Sequence, residues 1–182
     1  MAARLTSTDI RRFLAALGER VGAPTDLYLL GGGALCLLGS ARFTQDLDYV
    51  GPDQATQSDD LAQVIHTLAA EMGIDVESVP IQQFTPVPAG AETRHRTVGT
   101  FGRLRVFVFD PFSIALSKLD RGLEADLQDI EFLARAGLVD LDRLADMVRD
   151  ARQLASEFDL DAPGMVARLS AIRARVPPPS QA

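Results

Sequence analysis

The chain has one cysteine, Cys36, in 182 residues, so it can form neither an intramolecular disulfide nor a cysteine-based zinc site. On the short helix expected after a glycine turn, Cys36 reads as a small core residue and not as a nucleophile. Positive charge is also scarce: 18 Lys and Arg stand against 25 Asp and Glu, for a formal net charge of -7. That balance excludes a protein whose whole surface is an electrostatic sleeve for nucleic acid, while leaving room for a local basic patch. The most hydrophobic stretch, residues 27–38, is broken by glycines and too short to span a bilayer. Residues 1–10 lack the apolar run of a secretory signal, so a cytoplasmic location without membrane attachment is expected. No Gly-x-x-x-x-Gly-Lys-Ser occurs, which removes the P-loop kinase reading, and there is no internal repeat or long low-complexity segment.

What is present suffices for one substantial core. With 47% hydrophobic and 24% charged residues, the natural count is one domain, or one domain with a helical extension. Apolar spacing predicts helix over residues 8–21, where Ile10, Phe13, Leu14 and Leu17 share a face behind Ser7 and Thr8 as caps. The same spacing predicts helices over residues 33–38, 58–72, 112–120, 125–135, 141–154 and 163–175. Short strands are predicted over residues 27–30, 45–50, 74–79, 94–98 and 103–109, the last two pairing through residues 99–102. Residues 80–90 read as irregular, and the proline-rich residues 177–182 as a disordered tail. Helices that join strands in this way suit a mixed sheet.

The most informative stretch is Gly31-Gly32-Gly33-Ala34-Leu35 followed by Arg42-Phe43-Thr44-Gln45-Asp46-Leu47-Asp48-Tyr49-Val50. Alternate side chains of a strand share a face, so Asp46 and Asp48 project together while Leu47 and Tyr49 point into the protein. Two carboxylates on one face make a hard oxygen site, which suits magnesium completed by water and substrate phosphates. The glycines after the buried strand let backbone N–H groups and the start of the next helix approach an anion without side chains in the way.

A hydrophobic strand, Gly-Gly, a short helix and then Asp-x-Asp on the next strand resembles the DNA polymerase β-like nucleotidyltransferase superfamily. The form Gly-Gly-x-Ala-Leu, then Arg-x-Thr-x-Asp-Leu-Asp, is most similar to its small bacterial members, the minimal nucleotidyltransferases and the abortive-infection nucleotidyltransferase toxins. In those relatives a downstream helical region carries a lysine, an arginine just after it and an Asp-x-x-Asp. Here Ser117-Lys118-Leu119-Asp120-Arg121 and Asp126-Leu127-Gln128-Asp129 match. The likeness runs from residue 27 to about residue 133 and is loose from Asp140 on. It implies an α+β fold, a nucleotidyltransferase-like mixed sheet flanked by helices with a C-terminal helical segment. Residues 1–111 would form the core with its N-terminal helix, and residues 112–176 a helical part packed on it and completing the cleft.

The implied activity is metal-dependent transfer of a nucleoside monophosphate from a nucleoside triphosphate to a hydroxyl of RNA, protein or a small molecule, with Mg2+ or Mn2+. Asp46 and Asp48 are the expected metal ligands and catalytic carboxylates. The third carboxylate is open. Asp110, at the end of an apolar strand, competes evenly with its ordinary use as a helix start before Pro111, and Asp75 and Glu77 are weaker candidates. By resemblance Lys118 binds the triphosphate and Asp126 or Asp129 acts near the attacking group; Asp129 ranks first for its helical register with Lys118, although Gly122 breaks a continuous helix. A surface lysine paired to a nearby acid is the competing reading. Gly31, Gly32, Arg42, Thr44 and Arg121 are the remaining nucleotide-binding candidates. His66 reads as one edge of a helix, and Arg94, His95, Arg96, Arg103 and Arg105 read better as strand-edge charge than as a nucleic-acid strip. A reading of a different class is a catalytically weak module that binds a partner protein within a toxin and antitoxin pair, and a homodimer is left open. The clustered charge of Asp46, Asp48, Lys118, Asp126 and Asp129 favours the enzyme, since a scaffold has no physical need for it.

Overall fold

A computed structural model describes residues 4–51 and 59–176, the side chains of Asp59 and Asp60 excepted. The expected tail at 177–182 and the expected helix start at Ser58 lie outside the described residues. In chain order the elements are α1 (Ser7–Arg20), β1 (Thr25–Leu29), α2 (Gly31–Leu37), β2 (Asp46–Val50), α3 (Asp59–Met72), β3 (Asp75–Val79), α4 (Ile81–Phe84), β4 (Arg96–Phe101) and β5 (Leu104–Val108). There follow α5 (Pro111–Arg121), α6 (Glu124–Arg135), α7 (Leu141–Ala151), α8 (Ala155–Phe158) and α9 (Ala162–Arg175). Contacts divide the chain into two units, Met1–Ile81 with Arg94–Phe109, and Gln82–Thr93 with Asp110–Ala182.

The first unit is built on a five-stranded mixed sheet of order β3-β2-β1-β5-β4. Strand β1 runs antiparallel to β2 and parallel to β5, β3 runs parallel to β2, and β4 antiparallel to β5. One face carries Leu27, Leu29, Leu47, Tyr49, Leu104, Val106 and Val108, all buried, which is the alternation expected of strands covered on one side. Helix α1 covers β4 and β5, α2 packs on β2, and α3 packs on α1 and β3. Ile10, Phe13, Leu14 and Leu17 of α1 are all buried, each contributing about 1.5–3 kcal/mol by leaving water. The cap of α1 is Thr6, not the expected Ser7 or Thr8: its hydroxyl accepts from Asp9 N–H while the Asp9 carboxylate accepts from Thr6 N–H at 2.8 Å, a reciprocal pair that satisfies two otherwise orphaned donors.

Pairing sets the opposite face. Residues directly opposed across a ladder share a side, and the register aligns Asp46 with Asp75 and Asp48 with Glu77. It also aligns Asp26 with Arg105 and Tyr28 with Phe107. All eight therefore stand on the face away from α1. The β4–β5 connection is tighter than expected: the turn is at Gly102 and Arg103, and Gly99 lies inside β4 beside a register shift. The segment expected to be irregular, residues 80–90, contains α4, and a 3-10 turn at Ala91–Thr93 follows it.

The second unit is helical. Helix α5 packs on α6, α7 and α9, and α9 also packs on α6 and α7, around buried Leu116, Leu119, Ile130, Leu133, Leu144 and Ile172. Gly122, with φ +69°, ends α5 in the left-handed conformation that glycine adopts without a Cβ penalty. Arg168 of α9 donates to the carbonyls of Leu119 and Asp120 at that end, and pairs with Asp161. The helix expected over 141–154 stops at Ala151 and continues as a 3-10 turn, Arg152–Leu154, before α8. Among the described residues, no helix is long and apolar enough to cross a membrane.

Candidate functional site

The register of β2 against β3 gathers Asp46, Asp48 and Glu77, each offering a carboxylate oxygen within 4.8 Å of the others. The two aspartates are half-buried and Glu77 is exposed, so the cluster is reachable from solvent. Asp46 is oriented by Thr44, whose hydroxyl donates to the Asp46 carbonyl at 3.1 Å and lies 3.2 Å from its carboxylate Oδ1. Thr44 is itself fixed, because its backbone exchanges hydrogen bonds with Leu5. The donor set is purely carboxylate oxygen, hard and anionic, which fits Mg2+ or Mn2+ and not a soft metal.

Two glycines make room for this arrangement. Gly31 has φ +61°, and a side chain there would collide with the Asp48 carboxylate. A Cβ on Gly32 would lie 2.7 Å from Thr44 Oγ1 and 3.5 Å from an Arg42 guanidinium nitrogen. The backbone at the start of α2 thus runs directly against Asp48, Thr44 and Arg42, which the structure brings together as one corner. Helix α2 starts at Gly31, so the glycines form its first turn and not a loop before it. Cys36 is buried, its Sγ 3.1 Å from the Arg42 carbonyl.

Asp110, the candidate third ligand, is wholly buried and caps α5. Its carboxylate accepts from Phe112 N–H at 3.2 Å, Ser113 N–H at 3.2 Å and the Ser113 hydroxyl at 2.8 Å. The structure does not bring it into the carboxylate cluster; Glu77 supplies the third oxygen there. The period-two match of Asp75-Val76-Glu77 to Asp46-Leu47-Asp48 is the signal that points to Glu77, once β3 is known to lie beside β2.

In the second unit, α5 and α6 close a corner around Lys118. Its ammonium lies 3.1 Å from Asp126 Oδ1 and 2.7 Å from Asp129 Oδ2, and all three residues are buried. Asp126 also accepts from Arg121 through Nη2 at 2.5 Å and Nε at 2.8 Å, and from Leu123 N–H at 3.3 Å. Burial pushes the Asp126 carboxyl up, but the Arg121 hydrogen bonds and the Lys118 charge more than offset it, holding the carboxyl below the usual range. Lys118 is thus paired to nearby acids, as the competing reading has it, but in a buried position and not at the surface. Lys118 is also the chain's single lysine, a sequence signal that marks the position, since arginine serves every other cationic role apart from the histidines.

The other candidates are placed as follows. Arg105 pairs with Asp26 at 2.6 Å, and Arg103 donates to the Gly22 carbonyl at 3.2 Å. His66 of α3 lies 3.2 Å from the Tyr49 hydroxyl. His95 packs against Tyr28 and Phe109, both at 4.8 Å between ring centroids. In the second unit a cavity of about 340 Å³ between α7 and α9 is lined by Val148, Val166 and Leu169 with Arg149, Arg152 and Arg173; none of these was a sequence candidate.

A glycine turn set against a carboxylate cluster, on the face of a mixed sheet opposite helix α1, defines the nucleotidyltransferase-like class of α+β fold. The chain belongs to the family described as "Nucleotidyltransferase of unknown function (DUF6036)", whose model matches residues 8–170. No curated protein and no solved structure matches the chain significantly.

Proposed function

We propose that the protein is a cytoplasmic, metal-dependent nucleotidyltransferase related to the polymerase β-like superfamily and its small bacterial members. It would transfer a nucleoside monophosphate from a nucleoside triphosphate to a hydroxyl of RNA, protein or a small molecule. The observation that carries this reading is the convergence of Asp46, Asp48 and Glu77 within 4.8 Å beside Gly31. Asp46 and Asp48 would hold Mg2+ or Mn2+, with Glu77 at the exposed rim. When bound, the ion supplies neutralisation of the triphosphate charge and polarisation of the phosphorus–oxygen bonds.

The chain's own residues do the rest. Thr44 keeps the Asp46 carboxylate in its bound orientation, and Gly31 leaves Asp48 the space that a side chain would fill. In the transfer, the acceptor oxygen bonds to the α-phosphorus as the bond from that phosphorus to the pyrophosphate oxygen breaks. The hydroxyl proton passes to a carboxylate. We assign Lys118 to a substrate phosphate and Asp129 to the attacking group. Asp126 keeps Arg121 and Leu123 N–H as partners when Lys118 turns to phosphate, and Asp129 gives up its contact with the ammonium.

One observation favours a second reading. The Lys118 charge is already compensated by two carboxylates, which suits a catalytically weak module that binds a partner protein in a toxin and antitoxin pair. Incubation with each α-labelled nucleoside triphosphate and Mg2+, with and without total RNA, separates the two. Incorporation of label into protein or RNA that disappears in Asp46→Asn supports the enzyme. No incorporation from any of the triphosphates supports the module.

A further inference from the structure

The face of the sheet that holds the carboxylates also carries a ring cluster with no part in the chemistry described so far. Tyr28 of β1 and Phe107 of β5 are directly paired, their rings stacked at 5.3 Å between centroids and 20° between planes. His95 joins Tyr28 and Phe109 at 4.8 Å each, and Phe109 meets the Tyr28 ring edge-on at 6.4 Å. The rings on the helix-covered face are buried, as Tyr49 shows, but Tyr28, Phe107 and His95 are each only half-buried. The ladder places this cluster relative to the carboxylates. Leu29 is opposite Tyr49 in the antiparallel β1–β2 pair, so Tyr28 is opposite Val50 and diagonal to Asp48 on the same face, about 7–8 Å away. On the other side the Asp26–Arg105 pair closes the row at 2.6 Å.

We propose that the Tyr28–Phe107 pair is a stacking platform for the base of the incoming nucleoside triphosphate. The proposal rests on the nucleotidyltransferase reading of Asp46, Asp48 and Glu77, and adds to it a recognition element for the nucleoside. A diagonal step between neighbouring strands is comparable to the ribose that separates a metal-held phosphate from its base. A stacked pair of rings can be extended by any nucleobase, because stacking needs a ring and not a particular hydrogen-bond pattern. The platform therefore discriminates nucleotide from bare phosphate, and does so with little preference among bases.

Calorimetric titration of the full chain with Mg2+ and either a non-hydrolysable nucleoside triphosphate or inorganic tripolyphosphate tests this. The wild type should bind the nucleotide about tenfold or more tighter than tripolyphosphate, the gain expected from stacking one base. Tyr28→Leu with Phe107→Leu, which keeps apolar bulk and removes the rings, should erase that gap and leave tripolyphosphate affinity unchanged. Equal wild-type affinity for the two ligands overturns the platform while leaving the carboxylate site standing; binding of neither overturns both. A second readout does not depend on the variants folding. The chain has two tyrosines and no tryptophan, so the Tyr28 ring protons are resolvable by NMR, and a stacked base should move them upfield where tripolyphosphate does not. Tyr28 resonances that respond identically to both ligands overturn the proposal.

Discussion

On the sheet of the first unit, Asp46, Asp48 and Glu77 bring three acidic oxygens within 4.8 Å of one another, whereas at the α5–α6 corner of the second unit Asp126 and Asp129 share the Lys118 ammonium at 3.1 and 2.7 Å. The first cluster gathers like charges where solvent reaches them, at a cost on the order of 1–3 kcal/mol per pair depending on screening. The second hides its charges and compensates them internally, with Arg121 and Leu123 N–H completing Asp126. Like charges held together carry an electrostatic cost that a compensated cluster does not. The same residue type, aspartate, thus has opposite effects on stability in the two places.

That contrast is broken most forcefully at Lys118. Lys118→Met removes the ammonium that the buried Asp126 and Asp129 share and should destabilise the protein by about 3–5 kcal/mol, read from the urea midpoint. Adding Asp126→Asn and Asp129→Asn should recover most of the loss; no recovery would mean that packing and not charge sets the effect. At the sheet the sign reverses. Asp46→Asn with Asp48→Asn should raise stability without divalent metal, on the order of 1–3 kcal/mol from relieved repulsion, and should abolish any rise in melting temperature on adding Mg2+ and a triphosphate. A drop in stability in metal-free buffer would erase the distinction between the two clusters.

Gly31→Ala tests the glycine corner beside Asp48 in magnitude. It places a side chain at φ +61° and against the Asp48 carboxylate, so a loss of about 1–2 kcal/mol is expected from the backbone alone, with Mg2+ affinity falling as Asp48 is displaced. The smallest effect is the response to acid. A carboxyl held below its ordinary 3.8 in the folded state contributes stability that is full above that value and is lost as pH falls through the lower folded one. Melting temperature measured from pH 5 to pH 3 should therefore fall less in Asp126→Asn than in wild type.

Much of this is legible in the sequence. Alternation in Asp46-Leu47-Asp48-Tyr49 is local, so it put the two aspartates on one side and Leu47 and Tyr49 in the core. The Asp110-Pro111 step carried both of its readings, a strand-end ligand and a helix cap, and the cap geometry is what the local backbone makes. Glu77 was harder, because its relation to Asp48 depends on which strand β3 lies beside and in what register. Both are long-range facts that no local pattern encodes. The same holds for the β4–β5 turn: Gly99 and Gly102 are equally good turn residues, and only the pairing of Arg96 with Val108 shows that the first lies within the strand. The α5–α6 corner was half legible. Gly122 marks the break and the spacing of Lys118, Asp126 and Asp129 marks the reach, but the burial of the lysine depends on tertiary packing that no local pattern encodes.

The proposed role of Asp46, Asp48 and Glu77 is to hold the metal of a metal–triphosphate complex. Its most direct test is titration of the full chain with Mn2+, read by electron paramagnetic resonance, with and without a non-hydrolysable nucleoside triphosphate. The wild type should retain protein-bound Mn2+ more tightly when the triphosphate is present, and Asp46→Asn with Asp48→Asn should leave only the spectrum of Mn2+ bound to free nucleotide. Protein-bound Mn2+ that persists unchanged in that variant would contradict the account.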